Sequence, residues 1–155
     1  MTTAVDTNIL LDMLIPNPRW EESSRAALDL ATEEDHAIIG ETVFGELAAR
    51  FDSPGRVQAF LTEVDIEYVP SNRIALYRAG TAWRRYATRR PRGVSCPRCG
   101  HRTAVTCSSC GESIATRQHL IADFIVGAHA LTHADRLLTR DRGYYRTCFP
   151  DLQLV

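Results

Sequence analysis

Four carboxylates in this sequence directly follow, interrupt or border apolar segments. They are Asp6, Glu46, Asp123 and Asp141. Asp6 and Asp141 follow short apolar segments, as residues at the carboxyl end of a buried strand do. Asp123 lies within the apolar stretch HLIADFIVGAHAL, where a buried carboxylate without a partner is strongly unfavourable. Glu46 borders the apolar stripe of a predicted helix. Each residue alone also has a plain structural explanation, as a helix cap, a first-turn acid or a solvated flank.

The chemistry available to these four residues depends on whether they converge. Carboxylates that lie close together repel one another and raise one another's pKa, and a divalent cation relieves that repulsion. Ligation by oxygen atoms alone favours Mg²⁺ or Mn²⁺ over Zn²⁺. Such an ion polarises a phosphodiester, activates a water molecule and stabilises the leaving oxygen. The four residues therefore predict metal-dependent hydrolysis of a phosphodiester.

A second group of chemically capable residues lies in the cysteine segment CPRCGHRTAVTCSSCG. Two Cys-x-x-Cys turns, seven residues apart and each followed by glycine, contain Cys96, Cys99, Cys107 and Cys110. Four thiolates are the usual ligands of a structural Zn²⁺, although this connection is shorter than most. His101 is a reserve ligand, a disulfide or redox pair is the alternative, and Cys148 is expected to be an ordinary buried thiol. A four-thiolate site leaves no coordination position open, so the segment is predicted to stabilise rather than to catalyse.

The arginine residues are concentrated next to the cysteine segment. Residues 1–72 carry four Arg and fourteen Asp or Glu, whereas residues 73–117 carry ten Arg and one Glu. This basic strip suggests a polyanionic partner, although an arginine-rich helix can also simply be solvated. The residues of the strip that would contact a polyanion are Arg84, Arg85, Arg89, Arg90, Arg92, Arg98 and Arg102. Because the sequence contains no lysine, a P-loop and a Schiff-base enzyme are both excluded.

The elements that must position these residues follow from the alternation of short apolar runs with helical patterns. Strands are predicted in TTAVD, HAIIG, IEYVP, DRLLT and LQLV. Such alternation is typical of a parallel sheet covered by helices on both faces, whose ligands bind beyond the carboxyl ends of the strands. We interpret residues 1–155 as one domain and residues 91–117 as an insertion between two helices. Without a signal peptide or an apolar span, the protein is expected to be cytoplasmic and without a membrane partner.

Four segments, VDTNILLDML, ELAARF, DFIVGAHAL and RLLTRDRGYY, resemble the PIN domain in their order and spacing. They are most similar to the VapC-type toxin ribonucleases of type II toxin–antitoxin modules. The resemblance implies a Rossmann-like three-layer α/β/α fold, Mg²⁺- or Mn²⁺-dependent cleavage of RNA, a homodimer and a small inhibitory antitoxin. The family's acidic quartet falls on Asp6, Glu46, Asp123 and Asp141, and its supporting polar residues fall on Asn8 and Thr139. In that setting the arginine strip and the cysteine insertion would grip RNA, contact the antitoxin or only stabilise the fold.

The roles that we expect for the quartet leave some alternatives open. The metal ion would be held, directly or through water, by Asp6, Asp123 and Asp141. Glu46 would complete the metal shell or orient the attacking water. His129 and His133 lack the Glu of an HExxH site, so they are interpreted as packing or surface residues. Two other functions are a PIN endonuclease of ribosomal RNA processing and a non-catalytic zinc-ribbon adaptor that binds RNA.

Overall fold

The computed structural model describes residues 1–15, 18–34, 36–89, 93–95, 101–114 and 121–155. Its strands are β1 (Thr2–Val5), β2 (His36–Ile39), β3 (Ile66–Tyr68), β4 (Val94–Ser95), β5 (Arg102–Thr103), β6 (Val105–Thr106), β7 (Ser113–Ile114), β8 (Arg136–Leu138) and β9 (Gln153–Leu154). Its helices are α1 (Thr7–Leu14), α2 (Glu21–Glu34), α3 (Glu41–Ala48), α4 (Pro54–Glu63), α5 (Arg73–Arg89), α6 (Ile121–His133) and α7 (Arg142–Cys148). No helix within these ranges is long and apolar enough to cross a bilayer.

Five strands form one parallel sheet in the order β3-β2-β1-β8-β9. The central strand is β1, in which Ala4 pairs with Ile38 of β2 and with Leu137 of β8. These strands are nearly continuous apolar runs because helices cover both faces of a parallel sheet. The predicted parallel sheet and the α/β/α class are confirmed. Since all five strands run the same way, the residues that follow β1 and β8 lie side by side at one edge.

The core lies between this sheet and the helices that pack on it. The largest fully buried side chains include Leu10, Leu28, Ile38, Leu47, Leu61 and Phe124. Burying a side chain of this size contributes about 1.5–3 kcal/mol relative to leaving it exposed. Phe124 on α6 also packs on the rings of Tyr86, Tyr144 and Phe149, with centroid distances of 5.5, 5.5 and 6.3 Å. This aromatic cluster holds α6 against α5 and α7.

His129 on α6 is a packing residue, as the sequence suggests. Its side chain is buried, and its Nε2 lies 2.7 Å from the backbone oxygen of Val69. Gly40 lies against the ring, since a Cβ at that position would be 3.0 Å from the imidazole. Burial lowers the pKa of His129, so the imidazole is neutral at physiological pH.

Between α5 and α6 the described residues form two small antiparallel sheets, β4 with β5 and β6 with β7. In the second, the Cys107 N–H donates to the Glu112 oxygen at 2.8 Å, and the Gly111 N–H to the Cys107 oxygen at 2.9 Å. Gly111 has a φ of +72°, a conformation that favours glycine. Cys107 and Cys110 are free thiols. Two of the four predicted zinc ligands, Cys96 and Cys99, lie outside the described residues. So do Arg90, Arg92, Arg98 and the side chain of Arg102 from the arginine strip.

Candidate active site

The four carboxylates singled out in the sequence line one open cavity of about 480 Å³ at the carboxyl edge of the sheet. Asp6 comes from the β1–α1 junction, Glu46 from α3, Asp123 from α6 and Asp141 from the start of α7. The cavity is completed by Thr7, Asn8, Leu11, Ala49, Arg50, Tyr144 and Tyr145. The structure thus places acids from four separate elements around a single open space.

Asp6 is the most enclosed of the four acids, with 7% of its surface exposed. It directly follows β1 and stands at the N-terminus of α1, and its N–H donates to the Leu138 oxygen of β8 at 3.0 Å. Its Oδ2 accepts hydrogen bonds from Asn8 Nδ2 at 2.7 Å and from Thr139 Oγ1 at 2.6 Å. Because both donors are fixed by neighbouring strand ends, the carboxylate has a defined orientation.

Thr139 connects the two strand ends that carry Asp6 and Asp141. Besides donating to Asp6, its buried hydroxyl accepts from Asn8 Nδ2 at 3.2 Å and from the Asp141 N–H at 3.1 Å. Asn8 Oδ1 in turn accepts from the backbone N–H of Arg140 at 3.3 Å. Asn8 and Thr139 therefore occupy supporting positions between the first and last acids of the cavity.

The electrostatics of the cavity are unfavourable for negative charge. The pKa of Asp6 is raised to about 6, chiefly by burial and in smaller part by the nearby carboxylates of Glu46 and Asp123, against the lowering effect of the Thr139 hydroxyl. This is the behaviour expected when acids are brought together in a partly desolvated space. A cation placed among them would relieve both penalties.

The other three acids are held less tightly than Asp6. Glu46 is exposed on α3, and its Oε2 accepts a hydrogen bond from the Thr7 hydroxyl. Asp141 is exposed and caps α7, where its Oδ1 accepts from the Tyr144 N–H at 3.3 Å. Asp123 is half-buried on the first turn of α6, not enclosed by the apolar residues beside it in sequence, because helical periodicity turns them to other sides.

Among the cavity residues that were not singled out in the sequence, Arg50 and Tyr145 bear on its electrostatics. Arg50, four residues after Glu46, is an exposed cation at the rim. Tyr145 is buried, and its burial raises the pKa of the phenol, which is raised further by the negative charges of Asp6, Asp123 and Asp141. The phenol therefore stays protonated beside these carboxylates. In the sequence, Arg50 is indicated by its helical spacing from Glu46, and Tyr145 by its place in RGYY directly after Asp141.

A metal ion is not held by a ready-made ligand cluster in the described part of the chain. There, no three or more His, Cys, Asp or Glu side chains are placed so that they could hold an ion. Mutual repulsion and hydrogen bonds from Asn8, Thr139 and Thr7 keep the cavity carboxylates in their present positions. The oxygen-only donor set still fits Mg²⁺ or Mn²⁺, because Mg²⁺ usually keeps several waters and takes only one or two carboxylates.

Arg140 braces the turn between β8 and α7 from outside the cavity. Its Nε lies 2.9 Å from Asp12 Oδ2, its Nη2 donates to the Asn8 oxygen at 3.4 Å, and its guanidinium lies 5.1 Å from the centroid of the Trp20 ring. Asp12 is 3% exposed and also accepts from Ser24 Oγ at 2.6 Å. This ion pair ties α1 and α2 to the turn, and nothing in the sequence reasoning singled it out.

The fold and the cavity together define the class of protein: an α/β/α protein with a parallel sheet and an acidic site at the carboxyl ends of its strands. The chain belongs to the PIN domain family, whose sequence model, described as "PIN domain", matches residues 3–150. The resemblance to this family inferred from the sequence is therefore confirmed. Among curated proteins, no sequence matches that of this chain.

Solved structures with the same fold come from several bacterial complexes. A chain of VapBC2 from Rickettsia felis, bound to a DNA fragment from its promoter, has a TM-score of 0.62 and 16% identity, covering 100% of this chain and 98% of its own. A chain of FitAcB from Neisseria gonorrhoeae has a TM-score of 0.59 and 17% identity, with 98% and 95% covered. A chain of VapBC-1 from nontypeable Haemophilus influenzae has a TM-score of 0.58 and 17% identity, with 100% and 97% covered. At such identities the similarity establishes the fold.

Proposed function

We propose that this protein is an endoribonuclease that hydrolyses RNA phosphodiester bonds with Mg²⁺ or Mn²⁺, and that it is the toxin of a VapC-type toxin–antitoxin pair. The observation that carries the proposal is the convergence of four carboxylates from four elements on one cavity. Membership of the PIN domain family supports a nuclease. The raised pKa of Asp6 supports a cation among these acids.

The roles assigned to the four acids follow from their positions. Asp6, Asp123 and Asp141 would hold the ion directly or through water, and Glu46 would complete its shell or orient the attacking water. The ion, when bound, would polarise the phosphodiester, activate water and stabilise the leaving oxygen. Asp6 is the best oriented of these acids, because its carboxylate is held by the donors of Asn8 and Thr139.

Other residues of the cavity would act on the RNA and on the proton balance. Arg50 at the rim is placed to contact a phosphate of the strand as it enters. Tyr145 remains a neutral phenol beside three carboxylates, so it would donate a hydrogen bond rather than add charge. The same residue is buried in the wall of the cavity.

A small antitoxin and a second copy of this chain are the proposed protein partners. The solved structures that share the fold are named VapBC2, FitAcB and VapBC-1 complexes, which supports a partner of the antitoxin kind. Homodimer formation rests on the resemblance to VapC-type toxins.

The cysteine insertion, residues 91–117, is proposed to bind a structural Zn²⁺ through Cys96, Cys99, Cys107 and Cys110. Its described half supports thiolate chemistry, since the backbone N–H groups of Cys110 and Ser109 lower the pKa of the Cys107 thiol. Hydrogen bonds of this kind favour the thiolate, which is the form that binds metals. The basic strip beside it would then be presented to RNA on a rigid support.

The proposal is tested by incubating RNA with the wild type, Asp6→Asn and Asp141→Asn, with Mg²⁺ or Mn²⁺ and with chelator. Asparagine keeps the oxygen that accepts from Asn8 and Thr139 at position 6 and the oxygen that caps α7 at position 141, so the fold is retained while the charge is removed. Each variant should cleave roughly 100-fold more slowly or worse, since even supporting residues of metal sites matter 10–100-fold. Asp29→Asn, exposed on α2, is the matched control and should cleave like the wild type.

Three outcomes would contradict the proposal. If both cavity variants cut as fast as the wild type, the active site is misassigned. Metal-independent RNA binding without any cleavage would favour the non-catalytic adaptor. Cleavage confined to precursors of ribosomal RNA would favour a processing endonuclease over a toxin.

A further inference from the structure

A second cavity lies between the C-terminal half of α5 and the end of α7. Its volume is about 400 Å³, within the range of small-molecule sites. One wall is formed by Arg85, Tyr86 and Arg89 of α5, and the other by Thr147, Cys148 and Pro150 at and after the end of α7. The cavity therefore combines two cations with an aromatic ring and an apolar surface.

The two arginines of this cavity place like charges on successive turns of one helix. Arg85 and Arg89 are four residues apart and exposed, and among the described residues neither forms an ion pair with a carboxylate. Like charges at this spacing repel each other, so an anion between them is stabilising. Both arginines line the cavity, and Cys148 lies in its opposite wall.

The second cavity is adjacent to the acidic one. Tyr86 in its wall packs on Phe124 at a centroid distance of 5.5 Å, and Phe124 packs on Tyr144, which lines the acidic cavity, at 5.5 Å. The seven-residue helix α7 runs from Asp141 at the acidic cavity to Cys148 at the second. Such a helix is about 10 Å long.

The acidic cavity by itself repels the phosphates of its proposed substrate. Four carboxylates face the space in which the phosphodiester must lie, and only Arg50 offers an opposing charge among the described lining residues. A polyanion is retained next to such a site only if cations hold the neighbouring part of the strand. Arg85 and Arg89 supply two such cations in the second cavity.

We propose that the cavity between α5 and α7 binds a nucleotide of the RNA that flanks the nucleotide being cleaved. Arg85 and Arg89 hold its phosphate through bidentate hydrogen bonds, and Tyr86 with Pro150 provides the surface against which the base packs. This inference rests on the proposed ribonuclease function, since it assigns the place of the substrate's flanking nucleotide. The competing occupant is an acidic segment of a protein partner. Such a segment could pair with the arginines, but it has no flat base to pack against Tyr86 and Pro150.

The test measures RNA binding without cleavage. A fluorescein-labelled single-stranded RNA of about twelve nucleotides is titrated with Asp6→Asn protein in chelator, and anisotropy gives the Kd. Arg85→Gln and Arg89→Gln, added to this background, should each weaken binding about tenfold, the effect of losing one charge-assisted contact. Each should also reduce the dependence of log Kd on log salt by about one.

Arg73→Gln is the matched control, because Arg73 is exposed at the first turn of α5 and does not line the cavity. It should change the Kd less than about twofold, whereas a diffuse electrostatic surface would make all three arginines equivalent. Equal effects of the three substitutions, or no effect of Arg85→Gln and Arg89→Gln, would overturn the proposal. Unchanged RNA binding together with lost binding of the antitoxin would assign the cavity to the protein partner instead.

A failure of this inference is distinguishable from a failure of the proposed function. In the cleavage assay, Arg85→Gln and Arg89→Gln with an intact acidic cavity should raise KM while kcat stays within about threefold, as expected for a lost binding contact. If the acidic-cavity variants cleave normally, the function is wrong whatever the arginines do. If those variants are inactive and the arginine variants bind RNA normally, only the flanking site is wrong.

Discussion

Replacing Asp6 with asparagine should stabilise the metal-free protein at neutral pH. Burial, with additional contributions from Glu46 and Asp123, raises the pKa of Asp6 from 3.8 to about 6. The folded state therefore favours the protonated acid, and its ionisation costs about 3 kcal/mol of stability, at about 1.4 kcal/mol for each pKa unit. This loss is absent well below pH 3.8, grows between pH 3.8 and about 6, and is complete at higher pH.

The measurement is urea denaturation in chelator at two pH values. Asparagine keeps an oxygen that accepts from Asn8 and Thr139, so the substitution removes charge with little change of shape. The variant should exceed the wild type in unfolding free energy by about 3 kcal/mol near pH 8 and by about 1 kcal/mol near pH 4.5. Asp29→Asn, exposed on α2, is measured in parallel as the control. A difference that is equal at both pH values, or a variant less stable than the wild type at pH 8, would refute the reasoning.

Three further predictions concern the residues around the cavity. Asp12→Asn removes the charged partner of Arg140, whose side chain is about one-third exposed, and should lower the unfolding free energy by about 1–3 kcal/mol. An unchanged unfolding free energy would show that the ion pair does not stabilise the fold. Gly127→Ala should lower the unfolding free energy by about 1–3 kcal/mol, because the added Cβ would lie 2.4 Å from the ring of Phe149. The control Gly45→Ala should leave the unfolding free energy unchanged or raise it, because the added Cβ meets no atom within 4 Å. Metal analysis should find one Zn²⁺ per wild-type chain and less than half of that in Cys107→Ser; zinc-free protein with all thiols reactive would contradict the site.

The sheet and two acids of the site were predictable because they depend on local patterns. TTAV and RLL belong to short runs whose pattern predicts buried strands, and parallel strands bring Asp6 and Asp141 to one edge. The resemblance to the PIN domain added Glu46 and the supporting residues. Asp123 was expected in apolar surroundings, and helical periodicity instead leaves it half-buried at the cavity.

The contacts between distant segments were not predictable from spacing. Asp12 looks like one more acid in LLDML, and only the fold brings it to Arg140 and Ser24. The same applies to Arg50 and Tyr145, whose neighbours across the cavity come from other elements. Periodicity identifies which side of an element is buried, but the partners on the opposite side depend on tertiary packing.

The central claim is that the acids of the cavity bind a hard divalent ion. Calorimetric titration of Mn²⁺ into the wild type, Asp6→Asn, Asp123→Asn and Asp141→Asn tests it most directly, with Asp29→Asn as control. We expect the wild type and the control to bind Mn²⁺ alike, and each cavity variant to bind it at least about tenfold more weakly. Equal Mn²⁺ affinity in all five proteins, or no binding to the wild type, would contradict the account.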